Sequence, residues 1–244
     1  MSATRWHRGE GGRPFIYGHR GTRRGAPENT LRAMEYALAQ GADGVELDVR
    51  LCGSGEVVVL HDADLERVAG VPVAVSAATL SELRVLDVGD GERVPLLDEA
   101  MALVLGGGRL LNVELKPDVP SPQALIERVA LAVCARSPAE RDAIVISSFS
   151  ARMCSALATA LPGVAIAFLF EHAPDGLPAG IAAVHPHHAL ADPEAIARCH
   201  EQGFAVNVWT VNDPVRARAL AAAGADGLVT DDVAVVLGAL TARA

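Results

Sequence analysis

Short apolar runs alternate with Ala-rich stretches of helical spacing from residue 15 to the end of the chain. Residues 15–19 read as a first strand. Leu31, Met34 and Leu38 then recur three and four apart, so residues 30–40 form a helix with one apolar face. Gly41 ends that helix, because a left-handed cap without a Cβ carries no clash. A second strand is expected at 44–50, and six more at 110–115, 143–149, 164–168, 181–185, 205–209 and 227–230. Between them, the segments around 97–106, 122–135, 151–160, 192–202 and 213–223 have helical spacing. Eight such units in 244 residues predict an α/β fold, a (β/α)8 barrel, since parallel strands need crossover connections and a closed sheet leaves no edge. An open doubly wound sheet is the rival, but no G-x-G-x-x-G follows the first strand.

Residues 51–96 break this rhythm. They hold the strand-like GEVVVLHD, a Val/Ala/Pro-rich stretch and the short helical segment LSELRVLD. A long connection of this kind on a barrel predicts a small insertion inside one domain spanning 1–244, placed after the second barrel strand. One internal echo, GADGVELD at 41–48 and GADGLVTD at 224–231, has a Gly closing a helix and a second Gly opening a buried strand.

Composition narrows the function classes. Hydrophobic residues make up 50% and charged residues 21%, the range of a chain with its own core, while aromatics at 4% leave the filling to aliphatic side chains. The formal charge is -9, with no basic stripe interleaved with aromatics, which argues against nucleic acid and anionic membrane as partners. The first dozen residues lack the apolar run of a secretory signal, and no stretch suits stable membrane insertion. Cys52, Cys134, Cys154 and Cys199 form no C-x-x-C pair or disulfide framework, so a cytoplasmic location is expected. Lys116 is the one lysine among 21 basic residues, which singles it out for a place that needs a compact cation.

The chemistry shows as charge on apolar strands. Glu46 and Asp48 are two apart in GVELDVR, so both carboxylates leave one face of a strand while Val45, Leu47 and Val49 leave the other. Asn112, Glu114 and Lys116 repeat the pattern in LLNVELKP. Half-buried acids need a compensating cation. Two arrangements satisfy this: a hard divalent ion on oxygen ligands, or an internal ion-pair network with Lys116 or a neighbouring Arg. His19 and His61 each end an apolar run and precede a charged residue, and imidazole moves protons in both directions near neutral pH. Arg20, beside His19, suits a phosphate bidentately, and either Asn29 or Thr30 caps the first helix. Phe149 and Trp209, near strand ends, are expected to line the entrance.

In order along the chain stand His19-Arg20-Gly21, Pro27-Glu28-Asn29-Thr30, Glu46 with Asp48, His61-Asp62, and Glu114 with Lys116-Pro117. This set resembles the glycerophosphodiester phosphodiesterase family of small bacterial type. SSF at 147–149, HP at 185–186, VNVWTVN at 206–212 and GADGLVTD at 224–231 are also similar, and the likeness runs over about residues 14–235. The resemblance implies a TIM barrel that hydrolyses glycerophosphodiesters to glycerol 3-phosphate and an alcohol. It implies one divalent cation, Mg2+ or Ca2+ with Mn2+ a further candidate, on Glu46, Asp48 and Glu114. His19 and His61 become the proton-transfer pair, with Arg20 and Lys116 near the phosphate. His185 and Trp209 are carried over to the mouth that receives the alcohol. The partner implied is a small glycerophosphodiester, and the chain is expected as a monomer or homodimer.

Other functions fit parts of the pattern. A lysophospholipase D-like or cyclising phospholipase activity shares the metal and histidines but needs an apolar groove. A non-catalytic barrel that binds phosphorylated metabolites has no use for a poised acid and base. Aldol or isomerase chemistry through a Lys116 Schiff base is opposed by Glu114 on the same strand face, which keeps the amine protonated.

Overall fold

A computed structural model describes residues 6–9 and 11–241. The ends of the expected 1–244 domain, including the first five residues read against a secretory signal, lie outside the described residues. Strand β1 (Phe15–His19) leads through α1 (Leu31–Ala39) to β2 (Gly44–Leu51). Then come β3 (Val57–Val59), a ribbon of β4 (Asp64–Leu65) and β5 (Val71–Ala74) around α2 (Glu66–Ala69), and α3 (Leu80–Arg84). Helix α4 (Leu97–Gly106) returns to β6 (Leu110–Leu115), followed by α5 (Pro122–Cys134), α6 (Pro138–Arg141), β7 (Ile144–Ser148), α7 (Ala151–Ala160) and β8 (Ala165–Phe170). The chain closes with β9 (Ala183–Pro186), α8 (Pro193–Glu201), β10 (Ala205–Val208), α9 (Pro214–Ala223), β11 (Gly227–Thr230) and α10 (Val233–Thr241).

Eight strands, β1, β2, β6, β7, β8, β9, β10 and β11, pair in parallel in that order, and β1 pairs with both β2 and β11, so the sheet closes into a (β/α)8 barrel. Alternation along each strand sorts the side chains. Val45, Leu47 and Val49 pack outward against Met34, Met101 and Leu125 of the surrounding helices. On the other face, Glu46, Asp48 and Arg50 are buried. Inside the amino-terminal half of the barrel, Trp6 and Tyr17 fill space left by Ala165, Ala167, Ala183 and Ala205. Small strand residues make room for two large rings, which is how a chain poor in aromatics packs its centre.

Two departures from the expected rhythm have local reasons. No helix bridges β8 and β9, because the connecting EHAPDGLPAG holds two prolines and two glycines. Leu177 and Ile181 of that connection still pack on the core. Between β2 and α4, the chain makes β3 antiparallel to β2, with Val49 opposite Val59, and a small core of its own from Cys52, Leu65, Val75, Leu83 and Val94. The β4–β5 ribbon and α2 were not expected, since two- to four-residue elements leave no periodicity to read.

Candidate active site

The turn after β1 sets the first residues. A Cβ on Gly18 would lie 2.0 Å from the Gly21 carbonyl oxygen, and Gly21 itself takes φ +76, so the backbone doubles back tightly. Arg20 and Asn29 both adopt positive φ, 54° and 58°, and the Asn29 N–H donates to the Arg20 carbonyl at 2.9 Å. Two non-Gly residues in this region are uncommon and mark an overdetermined segment. Thr30 caps α1, its Oγ1 accepting from Ala33 N at 3.2 Å. Asn29 is thereby released from capping: its Nδ2 donates to Asp48 Oδ2 at 2.8 Å and its Oδ1 accepts from Asp48 N at 3.2 Å.

Strand register brings the acids together. His19 lies opposite Glu46, Glu46 opposite Asn112, and Asp48 opposite Glu114. Glu46, Asp48 and Glu114 are all buried, with oxygens that lie within 4.8 Å of one another. Lys116 Nζ reaches Asp48 Oδ1 at 2.7 Å and Glu114 Oε1 at 2.5 Å. Arg20 lies on the other side, its Nε 3.3 Å from Asp48 Oδ2, its Nη1 donating to Glu28 Oε1 at 2.8 Å and its backbone N to Glu46 Oε2 at 2.9 Å. The ion-pair network weighed from sequence is therefore present, and it is incomplete. Glu46 Oε1 is buried without a hydrogen bond.

The electrostatics follow. Burial, with Asp48 and Glu114 adding repulsion, holds the Glu46 carboxyl well above its ordinary value. Burial and Asp48 push Glu114 up to about 7. Asp48 is buried as deeply, yet Lys116 and Arg20 hold it below the usual carboxylate range. Burial opposes the charge on Lys116, but Asp48 and Glu114 outweigh it and raise its pKa. Two acids that resist ionisation, an orphaned oxygen on one of them, and a donor set of three carboxylates fit one hard divalent cation.

Both histidines reach the same end of the barrel. His19 Nδ1 pairs with Asp231 Oδ1 at 2.7 Å, and its Nε2 lies 4.0 Å from Glu46 Oε2. His61, two residues past β3, pairs through Nδ1 with Asp62 Oδ1 at 2.7 Å. Burial lowers its pKa. In each case a carboxylate accepts Nδ1–H and leaves Nε2 as the working nitrogen. Asp231 is held in turn by Asn212 Nδ2 at 2.7 Å, and Asp62 by Arg67 Nε at 2.6 Å. Arg67 also donates to Glu28 Oε1 at 2.6 Å, tying the His61 side to Arg20.

The remaining expected residues divide. Phe149 and Trp209 meet edge to face, 5.4 Å between ring centres, and His187 stands 5.3 Å from the same indole. His185 is not at the surface of the mouth. It is buried within the barrel, where its Nε2 meets Asn207 Nδ2 at 2.9 Å, its carbonyl accepts from Trp209 Nε1 at 2.7 Å, and burial drives its pKa down to about 3.

Sequence reasoning offered Asn29 only as a helix cap and gave no role to Asp62, Arg67, Asn212 or Asp231. For two of these a signal was present: Asp62 adjoins His61, and Asp231 closes the second GADG echo.

Comparisons with known proteins agree with this fold. A chain from Caldanaerobacter subterraneus subsp. tengcongensis named glycerophosphodiester phosphodiesterase is 31% identical over 232 residues, 89% of this chain and 94% of that one. A probable glycerophosphodiester phosphodiesterase 1 of Mycobacterium tuberculosis is 34% identical over 230 residues, 83% of each. Among solved structures, an Oleispira antarctica phosphodiesterase in complex with the product sn-glycerol-3-phosphate superposes with a TM-score of 0.87 at 27% identity, covering 99% of this chain and 100% of that one. The model of the glycerophosphoryl diester phosphodiesterase family matches residues 19–235, which span the histidines, the acids and the closing Asp231, and the chain belongs to that family.

Proposed function

We propose that the chain hydrolyses glycerophosphodiesters to glycerol 3-phosphate and an alcohol, with Glu46, Asp48 and Glu114 holding one divalent cation. One observation carries the reading: two imidazoles, each oriented through Nδ1 by a carboxylate, share a barrel end with three acids and an orphaned carboxylate oxygen. When bound, the cation neutralises the acids and draws charge off the non-bridging phosphate oxygens. Lys116 and Arg20 supply the fixed positive charge beside it, where preorganised electrostatics count most.

His19 is assigned the base. Its Nε2 takes the proton from the attacking oxygen, either water or the glycerol 2-hydroxyl, the latter forming a cyclic phosphate that water then opens to glycerol 3-phosphate, while Asp231 stabilises the imidazolium at Nδ1. His61 is assigned the acid, giving its Nε2 proton to the departing alcohol while Asp62 holds the ring through Nδ1. Phe149 and Trp209 offer the alcohol or glycerol carbons an aromatic wall.

The test is a substrate panel on metal-stripped protein given Mg2+, Ca2+ or Mn2+. Release of glycerol 3-phosphate from glycerophosphocholine with at least one ion is expected, and none with any ion overturns the reading. Faster turnover of lysophosphatidylcholine would move the substrate to the lysophospholipid class. Within the panel, His61→Ala is expected to lose about 10²–10⁴-fold on glycerophosphocholine and far less on a p-nitrophenyl ester, whose leaving group needs no proton. His19→Ala fails on both. The reverse selectivity exchanges the two histidines.

A further inference from the structure

A second cluster of ligand-type side chains lies at the opposite end of the barrel. Asp226, the residue before β11, is buried, and His200 in the last turn of α8 pairs with it, Nε2 to Oδ2 at 2.8 Å. His7, in the segment before β1, brings Nδ1 to 3.6 Å from the same oxygen. The two rings stand edge to face, 5.5 Å apart between centres, and the three donor atoms lie within 4.8 Å of one another. We propose that His7, His200 and Asp226 form a metal site distinct from the acid cluster, one that takes a borderline divalent transition ion, Zn2+ foremost.

The internal echo shows what is unusual here. Asp43, the counterpart of Asp226 in the first GADG, accepts the Ile16 N–H at 2.8 Å and pairs with one guanidinium, that of Arg13, at 2.5 and 3.0 Å. Asp226 does the same structural work, accepting Val206 N at 2.8 Å and Arg8 N at 2.9 Å. Where Asp43 faces one cation, however, Asp226 faces two imidazoles. One would satisfy the carboxylate. The second, at 3.6 Å, is beyond hydrogen-bond reach and contributes nothing as a donor. Arg8 turns its guanidinium away, to the Ala221 carbonyl at 2.8 Å, so among the described residues no arginine pairs with the carboxylate.

The donor set and the space suit the ion. Two nitrogens and one carboxylate oxygen are the three-ligand set that zinc accepts with a water in fourth place. Tetrahedral ligands at about 2.0–2.1 Å from zinc sit about 3.3 Å apart, so the His7 contact already fits and the His200 contact opens by about 0.5 Å as the ion replaces the shared proton. A cleft of about 360 Å³, walled by His7, Arg8, Gly9, Gly11, His200, Gly224 and Asp226, leaves room for that water. The two backbone N–H bonds to Asp226 are the outer support that fixes a ligating carboxylate. Bound there, the ion ties the amino-terminal segment to α8 and β11.

The test uses the full chain without a polyhistidine tag, stripped by a chelator and titrated with Zn2+, then with Co2+ for its visible spectrum. Wild type and Glu114→Gln are expected to share one zinc equivalent whose Co2+ form has the intense visible bands of a tetrahedral ion. His200→Ala and His7→Gln should each lose it, with affinity falling by more than about 100-fold, the most expected of an outer-shell partner. Their hydrolysis of glycerophosphocholine should equal wild type. Both histidines are part-exposed, and circular dichroism of the ion-free variants checks the fold. Unchanged zinc affinity in either histidine variant, or loss of the equivalent in Glu114→Gln, overturns the proposal, whatever the enzyme assay shows.

Discussion

Asp231 and Asp62 decide which nitrogen each imidazole presents, although neither side chain touches the acid cluster among the described contacts. Asp231→Asn keeps the shape but can offer His19 an amide donor in place of an acceptor. We expect kcat on glycerophosphocholine to fall about 10²-fold with KM little changed. Equal activity would mean that the His19 ring is held by packing alone. Glu114→Gln likewise preserves volume while removing charge from the three-acid cluster. Calorimetric titration should show Mg2+ or Ca2+ affinity weakened by about tenfold or more, as expected for a lost oxygen ligand of a hard cation. Undiminished affinity would take Glu114 out of the ligand set and leave Lys116 as its sole reason for burial.

The element that matters most beyond the strands is the short α2, because it carries Arg67. This half-exposed guanidinium joins Asp62, the partner of His61, to Glu28, the partner of Arg20. An exposed ion pair contributes about 0–1 kcal/mol to stability, so Arg67→Ala should leave the melting temperature nearly unchanged. Turnover is expected to drop about tenfold, the effect of losing an outer support of catalytic side chains, and Arg67→Lys should restore little of it because one ammonium nitrogen does not reproduce the separate Nε contact to Asp62 and Nη2 contact to Glu28. A large thermal shift with normal turnover of the folded fraction would make α2 a purely structural clamp. The connection between β8 and β9 is the opposite case: its prolines and glycines abolish the helix, yet Leu177 and Ile181 keep the barrel wall sealed.

For the molecule as a whole, His185 sets an acid limit. It is buried in the barrel and its pKa falls from 6.5 to about 3. Between those values the unfolded chain binds a proton that the folded barrel refuses. Its contribution is therefore fully present above 6.5 and is lost as pH falls toward 3. The slope from this one residue is at most about 1.4 kcal/mol per pH unit. Urea midpoints across that window should drop with acidity in the wild type and drop less in His185→Gln, which keeps an acceptor for Asn207 without a titrating ring. Parallel curves would assign the acid sensitivity to other groups. Among the described residues no helix is long and apolar enough to cross a membrane.

Much of this was legible in the chain because periodicity is local. Alternation in GVELDVR and LLNVELKP put Glu46, Asp48 and Glu114 on inward faces, and eight apolar runs with helical spacers led to a barrel, since burial of a parallel strand on both sides is a property of its own residues. What tertiary structure decided is every contact between segments distant in sequence. The register that sets Asp48 opposite Glu114, and His19 opposite Glu46, arises from strand pairing that no single run encodes. The choice of Thr30 over Asn29 as the cap depended on where Asp48 arrived, 19 residues on from Asn29. Asp231 finds His19 across 212 residues, and Asp226 draws His7 and His200 to one oxygen, only because closing the sheet brings its last strand beside its first.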